Sequence, residues 1–392
     1  VERTHLALWA LACAVAVAAA WVAVPLFSVS PGHVAPGPDL APLYLGARAL
    51  WDGLEPTDPA VQRAIWQNVG SGIHPSVFFM PYPVTAALLS MPLCYLGWAE
   101  LLTPLWVGSA ICLVAGGLSA ALWAREFKSG AAALAGACGV VAVCGLDVCR
   151  HSLELGQVNP LVVGGLLLAA AFLVRGWDVP AGILIGLGVA LKFLPGVLLL
   201  PALVLWRWKV LVAAAAAFAV VVVATFGVHP DWRPGLDLAR AFEQATIGQA
   251  SEHPPFGGLW KLRGILAGVV VVGLSVWIGL KRRDRVACGA VVTLALAWAA
   301  VETGGMLPPH EVLLIAPALV ALVASVALHD WRWGAGSVAV VALVLSPLDH
   351  YPQQDMFSQD HALVLLGLLF AGAVAQGIWV ATRPVPVPAP VA

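Results

Sequence analysis

Three residues in this chain stand where chemistry is possible: an acid after the first long apolar stretch, a lysine inside a later one, and a histidine opening a third. The acid is Asp39, in Pro38-Asp39-Leu40-Ala41-Pro42-Leu43-Tyr44-Leu45-Gly46-Ala47-Arg48-Ala49-Leu50-Trp51. From Leu40, apolar side chains recur at Leu43, Tyr44, Ala47, Leu50 and Trp51, the spacing of one helical face. The spacing predicts an interfacial helix, too short to span, with Tyr and Trp at headgroup level. At its start Asp39 is either an N-cap or a reactive carboxylate near the membrane surface. Pro42 removes an amide from the first turn and so weakens the capping role.

Lys192 lies in Gly188-Val189-Ala190-Leu191-Lys192-Phe193-Leu194-Pro195, well inside an apolar segment. A charge there is expensive unless it faces a cavity or a partner; the competing reading is a side chain that snorkels to the surface. Gln157 and Asn159, in Gly156-Gln157-Val158-Asn159-Pro160, offer amides to a polar ligand, or else Asn159 caps a helix begun by Pro160. His310, in Pro308-Pro309-His310-Glu311, could hold a phosphate, shuttle a proton, or simply end a loop. Acid–His neighbours occur at His310-Glu311, Asp349-His350 and Asp360-His361. Adjacent residues point apart on a helix and no HExxH-like spacing occurs, so no metal is expected.

The elements around these residues must be membrane helices. The 392 residues are 61% hydrophobic and 10% charged, against about 25% charged in soluble domains. A net charge of −1 and no basic run of the phosphate-binding kind point away from nucleic acid. The seven cysteines are scattered, mostly within apolar segments, and form neither a disulfide framework nor a zinc pattern. Residues 6–27 read as a retained first helix rather than a signal peptide, because the apolar run is too long for one. A polar stretch follows at 29–75, then apolar segments near 76–97, 98–124, 131–145, 159–174, 181–205, 210–228, 261–280, 286–301, 311–328, 335–348 and 361–381. The whole of 1–392 reads as one all-α, polytopic membrane domain of about 11–13 transmembrane or re-entrant helices, closed by a Pro-rich cytoplasmic tail at 382–392.

Lys and Arg set the orientation. Arg3, Arg125, Lys128, Arg175, Arg207, Lys209, the run Lys281 to Arg285, Arg332 and Arg383 go inside, and the loops near 29–75, 146–158, 229–260, 302–310 and 349–360 go outside. Parity then fails twice. An odd number of crossings has to separate 29–75 from Arg125, although two apolar segments lie there, and 181–205 must begin and end inside. Half-length or re-entrant helices solve both, with breaks at Pro81 and Pro83 and at Pro195-Gly196. Broken backbone at membrane depth lines a cavity or is buried in protein.

Four stretches, taken in order, resemble the polyprenol-phosphate-mannose-dependent α-mannosyltransferases of glycosyltransferase family 87, of the GT-C superfamily. They are Asp39 to Leu50; Met80-Pro81-Tyr82-Pro83 on to Pro92; Leu155 to Pro160 with Ala181 to Pro195; and Pro308-Pro309-His310 before a helix containing Pro317. The resemblance implies a GT-C-like fold and an enzyme of the bacterial-type plasma membrane with its site on the outer face. It implies a polyprenyl-phosphate-sugar donor, a glycolipid or cell-wall glycan acceptor and no cofactor. Asp39 matches the general base, with His310 as a second catalytic group. Lys192, Arg48, Tyr44, Gln157, Asn159 and Tyr82 fall to substrate binding. Asp52, Glu55 and Asp58 are nearby carboxylates that could replace Asp39. Where the family often carries an Asn-Gln-Ser-type motif, this chain has His253-Pro254-Pro255-Phe256-Gly257-Gly258. A lipid or small-molecule transporter and an inactive GT-C scaffold are the rival readings; broken helices and a buried lysine also suit a transporter.

Overall fold

A computed structural model describes residues 40–69, 82–123, 140, 152, 156–234, 257–303, 321 and 356–383. The expected helix at 6–27, the segment 335–348, the tail beyond 383 and all but single residues of 131–145 and 311–328 lie outside the described residues. Every regular element among the described residues is helical, as the sequence predicts. Three of these helices are long and apolar enough to cross a membrane: Pro104–Trp123, Trp208–Val228 and Gly264–Lys281.

Helix α1, Ala41–Trp51, forms where the apolar spacing predicts it. Leu40 occupies the N-cap position without a side-chain cap bond, and Pro42 falls in the first turn, where its missing amide costs no helical bond. Its burial is broader than one stripe. Leu45 and Ala49 are enclosed along with Leu43, Tyr44, Ala47 and Leu50, whereas Trp51 is 43% exposed. Helix α2, Pro59–Val69, follows, and Asp58 accepts a bond from the Ala60 amide at its start.

Segment 76–97 does not make a spanning helix. Helix α3, Val84–Ser90, starts directly after Pro83 and runs seven residues before a 3-10 turn, Met91–Tyr95, takes over at Pro92. Both pack against α1. After a short 3-10 turn at Trp98–Glu100, the chain runs on through α4, Leu102–Leu118, and α5, Ala120–Trp123. One helical stretch of membrane-crossing length and composition, Pro104–Trp123, thus lies between α1 and the end of α5.

Helix α6, Asn159–Arg175, lies alongside α4 in the same direction. Ser119 donates to the Leu167 carbonyl at 3.1 Å, and a Cβ on Gly164 would run into the Cys112 carbonyl. Gly176 ends α6 in the left-handed region at φ 81°. Its amide bonds to Leu173 and the Trp177 amide to Phe172, so the chain reverses within two residues. Helix α7, Asp178–Leu191, returns antiparallel to α6.

Segment 181–205 is broken at the end of α7. Lys192 leaves the helix in an extended conformation, φ −156° and ψ 135°, so it stands at a break and not within a continuous helix. A 3-10 turn, Leu194–Leu198, and helix α8, Leu199–Val204, lead to Arg207. Its guanidinium lies 3.5 Å from Asp178 and donates to the Leu173 carbonyl. The segment therefore begins and ends at the same level. Helix α9, Trp208–Val228, then runs parallel to α7. A Cβ on Gly182 would meet the Val210 carbonyl and one on Gly186 the Ala214 carbonyl, an equal advance along both helices.

Helices α10, Gly257–Lys281, α11, Arg285–Thr303, and α12, Met356–Thr382, complete the described bundle. One apolar core joins them to α6, α7, α8 and α9 through residues such as Leu173, Ile185, Leu198, Val210, Ile278, Val291 and Val380. The termini of α6 define two ends about 25 Å apart. One carries Arg175, Asp178 and Arg207; the other carries Asn159 with α1 and α3 around it.

The close approach of α4 to α6 gives a contrast between neighbouring glycines. Gly164→Ala is expected to destabilise the protein by about 1–3 kcal/mol, because backbone blocks the added methyl. Gly165→Ala, with nothing within 4 Å of the methyl position, is expected to leave the melting temperature in detergent unchanged or raised. Equal melting of the two variants would contradict this packing.

Candidate functional site

Lys192, Asn159 and Gln157, singled out separately in the sequence, form one chain of hydrogen bonds. The Lys192 ammonium donates to Asn159 Oδ1 at 2.8 Å, and Asn159 Nδ2 donates to Gln157 Oε1. The polarity follows from the lysine. It has only donors, so Asn159 must turn its oxygen toward it and its NH2 toward Gln157, which answers with oxygen. Both termini of the chain are therefore N–H donors. Asn159 and Gln157 are 1% and 6% exposed. Asn159 makes no cap bond, so its amide serves Lys192 and not the helix start. Lys192 meets this partner on the neighbouring helix.

Apolar contacts seat this chain among the other motif stretches. Leu43 of α1, Ala86 of α3 and Val158 form one buried cluster, with Tyr82 and Leu191 packed against it. Val158 stands between Gln157 and Asn159, and Leu191 precedes Lys192, so α1, Tyr82 and the polar chain share one end of the bundle. Thr85, which the sequence reading passed over, ties α3 to the break. Its buried hydroxyl donates to the Ala190 carbonyl at 2.7 Å, two residues before Lys192. A lone hydroxyl in an apolar run just after Tyr82-Pro83 was the available signal.

Tyr44 and Arg48 have other company. Tyr44 is 6% exposed and packs on Trp98 with ring centroids 5.2 Å apart. Burial raises its phenol pKa, helped by Cys94 and opposed by Arg48. Arg48 pairs with Asp52 at 3.0 Å, both about one third exposed. Among the described contacts none joins either residue to Lys192. Asp39 and His310 lie outside the described residues, as do the side chains of 253–263.

The three carboxylates after α1 are each engaged locally. Asp52 holds Arg48, and Asp58 holds the Ala60 amide at 2.8 Å. Glu55 accepts from the Thr57 hydroxyl at 2.5 Å and from the Thr57 amide at 3.3 Å, while its other oxygen lies 3.2 Å from His229 Nε2. Burial alone would raise the Glu55 pKa, but the Thr57 bonds and His229 outweigh it and hold the carboxyl below its ordinary value. The Glu55–His229 pair fastens the 52–58 turn to the end of α9, beside the packing of Leu50 and Trp232. Among the described residues no three His, Cys, Asp or Glu side chains converge as metal ligands.

An all-helical bundle with membrane-length apolar helices, broken at a hydrogen-bonded lysine, defines a polytopic membrane protein with a polar site at one end. The model of glycosyltransferase family 87 matches residues 79–348, well over half of the chain. The chain belongs to that family and is a membrane glycosyltransferase; the transporter reading falls with this. The matched region holds Tyr82, Gln157, Asn159, Lys192 and His310 and begins after Asp39, Tyr44 and Arg48. No curated protein and no solved structure matches the chain.

The Glu55 clamp has a defined pH dependence. Because its folded pKa is lowered, its stabilisation is present above the ordinary carboxylate value and is lost as pH falls through the folded value. Wild type is expected to melt above Glu55→Gln near neutral pH by the equivalent of at most about 1 kcal/mol, the worth of an exposed pair. The gap should close in acid. A gap that widens in acid would contradict the clamp.

Proposed function

We propose that this enzyme moves mannose, or a related sugar, from polyprenyl phosphate to a glycolipid or cell-wall glycan, with inversion, at the end of the bundle that holds Lys192. The observation that carries the reading is the donor-terminated chain Lys192–Asn159–Gln157 beside α1 and Tyr82. A sugar phosphodiester leaving as polyprenyl phosphate gains negative charge on oxygen, and fixed N–H donors with a cation answer that need. The acceptor hydroxyl oxygen forms a bond to the anomeric carbon while the bond from that carbon to the phosphate oxygen breaks. Its electron pair leaves with the phosphate, and the hydroxyl proton passes to a carboxylate.

Asp39 is the carboxylate we assign as general base. Its rivals Asp52, Glu55 and Asp58 are each held by a structural partner, and the apolar run from Leu40 starts directly after Asp39. His310 is assigned to proton or phosphate handling by its place in the Pro308-Pro309-His310 motif. Sidedness rests on charge. Arg175, Arg207, Lys209 and the Lys281 to Arg285 run belong to helix ends away from the Lys192 cluster, which by the positive-inside rule makes the cluster extracytoplasmic. The prenyl tail then lies along apolar helix faces while the sugar meets α1 at the surface.

Sugar transfer in proteoliposomes, with labelled polyprenyl-phosphate-mannose and a membrane glycolipid extract, tests the assignment. Wild type is expected to yield labelled lipid. Asp39→Asn should lose roughly 10²–10⁴-fold, the worth of a general base, and Lys192→Met roughly 10²–10³-fold, the worth of one charge-stabilising donor. Full transfer by folded Asp39→Asn would return the role to Asp52, Glu55 or Asp58. No transfer by folded wild type with any extract would favour the inactive scaffold, a reading motivated by the altered 253–258 stretch.

A further inference from the structure

The opposite end of the bundle carries a surface that the transfer reaction does not use. Three turns meet there. A Cβ on Gly176 would lie 3.3 Å from the Arg207 guanidinium, Arg207 reaches Cys288 Sγ at 3.8 Å, and the Gly279 position faces Val204. The turns at 175–178, 204–209 and 281–288 are therefore one surface. It presents three exposed indoles: Trp177 at 44%, Trp206 at 73% and Trp208 at 63%.

Trp206 sits in the left-handed region at φ 57°, the only non-glycine residue among those described with positive φ. A bulky side chain is costly in that conformation. Trp206 closes α8, with its amide bonded to the Leu203 carbonyl and the Arg207 amide to the Ala202 carbonyl, and this turn leaves the ring turned out of the protein.

The charges around the indoles are one-sided. Both acids in these turns are consumed internally: Asp178 lies 3.5 Å from Arg207, while Asp284 accepts from Arg282 and, at 2.9 Å, from the Ala287 amide. Lys209, Lys281 and Arg283 remain exposed beside them. Indoles at one level with unbalanced cations match the glycerol and phosphate layers of an anionic leaflet.

We infer that this surface binds anionic phospholipid headgroups, with Lys209, Lys281 and Arg283 on the phosphates and Trp177, Trp206 and Trp208 at the glycerol level. The purified full chain in nanodiscs of phosphatidylcholine, with and without phosphatidylglycerol, provides the test. Native mass spectrometry reads which lipid stays bound, so the result does not depend on the transferase assignment. Wild type should retain phosphatidylglycerol preferentially. Replacing the three cations (Lys209→Gln, Lys281→Gln, Arg283→Gln) should lower that preference about fivefold per cation. Arg233→Gln, an exposed cation beyond the far end of α9, should leave it unchanged. Quenching of tryptophan by brominated phosphatidylglycerol should fall in Trp206→Ala. If the triple variant melts early in phosphatidylcholine, the single Lys209→Gln and Lys281→Gln variants carry the same fivefold expectation. Undiminished preference in the folded cation variants, or an equal loss in Arg233→Gln, would overturn the inference.

Discussion

An ammonium group among apolar helices has to be met by oxygen, and in this protein that requirement joins α6 to the end of α7. Left unpaired among apolar side chains, the Lys192 ammonium would be costly. Asn159, at the start of α6, supplies the oxygen, and Gln157 in turn orients Asn159. A hydrogen bond to a charged group contributes about 1.5–3 kcal/mol, enough to hold the ends of α6 and α7 level. Once Lys192 is fixed there, α7 has to stop. The extended backbone at 192 ends its ladder, and Thr85 takes the Ala190 carbonyl near the break. The return through α8 to Arg207 follows, because α9 must start again from the level of Asp178.

The two ends of the bundle solve their polar accounting differently. At the Arg207 end, each described acid meets a guanidinium, and Arg207 also donates to the Leu173 carbonyl, which already accepts from the Gly176 amide. Those bonds lock turns. At the Lys192 end the cation donates to a neutral amide, Asn159, which in turn donates to Gln157. Sequence composition treats both as isolated polar residues in apolar protein; their partners separate them.

Much of this was legible from the chain. Antiparallel helices joined at Gly176-Trp177 bring together residues about equally far from the turn, and Asn159 and Lys192 stand 17 residues before Gly176 and 15 after Trp177. Charge parity required segment 181–205 to fold back, and Pro195-Gly196 marks where it does. The same logic required 76–97 not to cross, and α3 with its 3-10 turn obeys it. Three things were hidden. The enclosure of α1 depends on neighbours that its own periodicity cannot announce, so Tyr44 was read as an interfacial aromatic, and it packs on Trp98. The capping role of Asn159 was locally plausible and lost to a partner 33 residues away. Glu55 and His229 lie in separate loops, 174 residues apart, and nothing short-range pairs them.

The local engagement of the acids after α1 bears on which carboxylate can accept a proton. A general base needs a lone pair directed at the acceptor hydroxyl and a pKa near the working pH. Asp58 spends one oxygen on the first turn of α2, and moving it would unfasten that helix. Asp52 shares its charge with Arg48 one turn away on the same helix. Glu55 is bonded through both oxygens, and the bonds that lower its pKa also make it the poorer base. Each would have to give up a structural role to act in catalysis. The turn at 52–58 is thereby a brace between α2, the end of α9 and α1, the helix whose Leu43 packs with Val158 and Leu191.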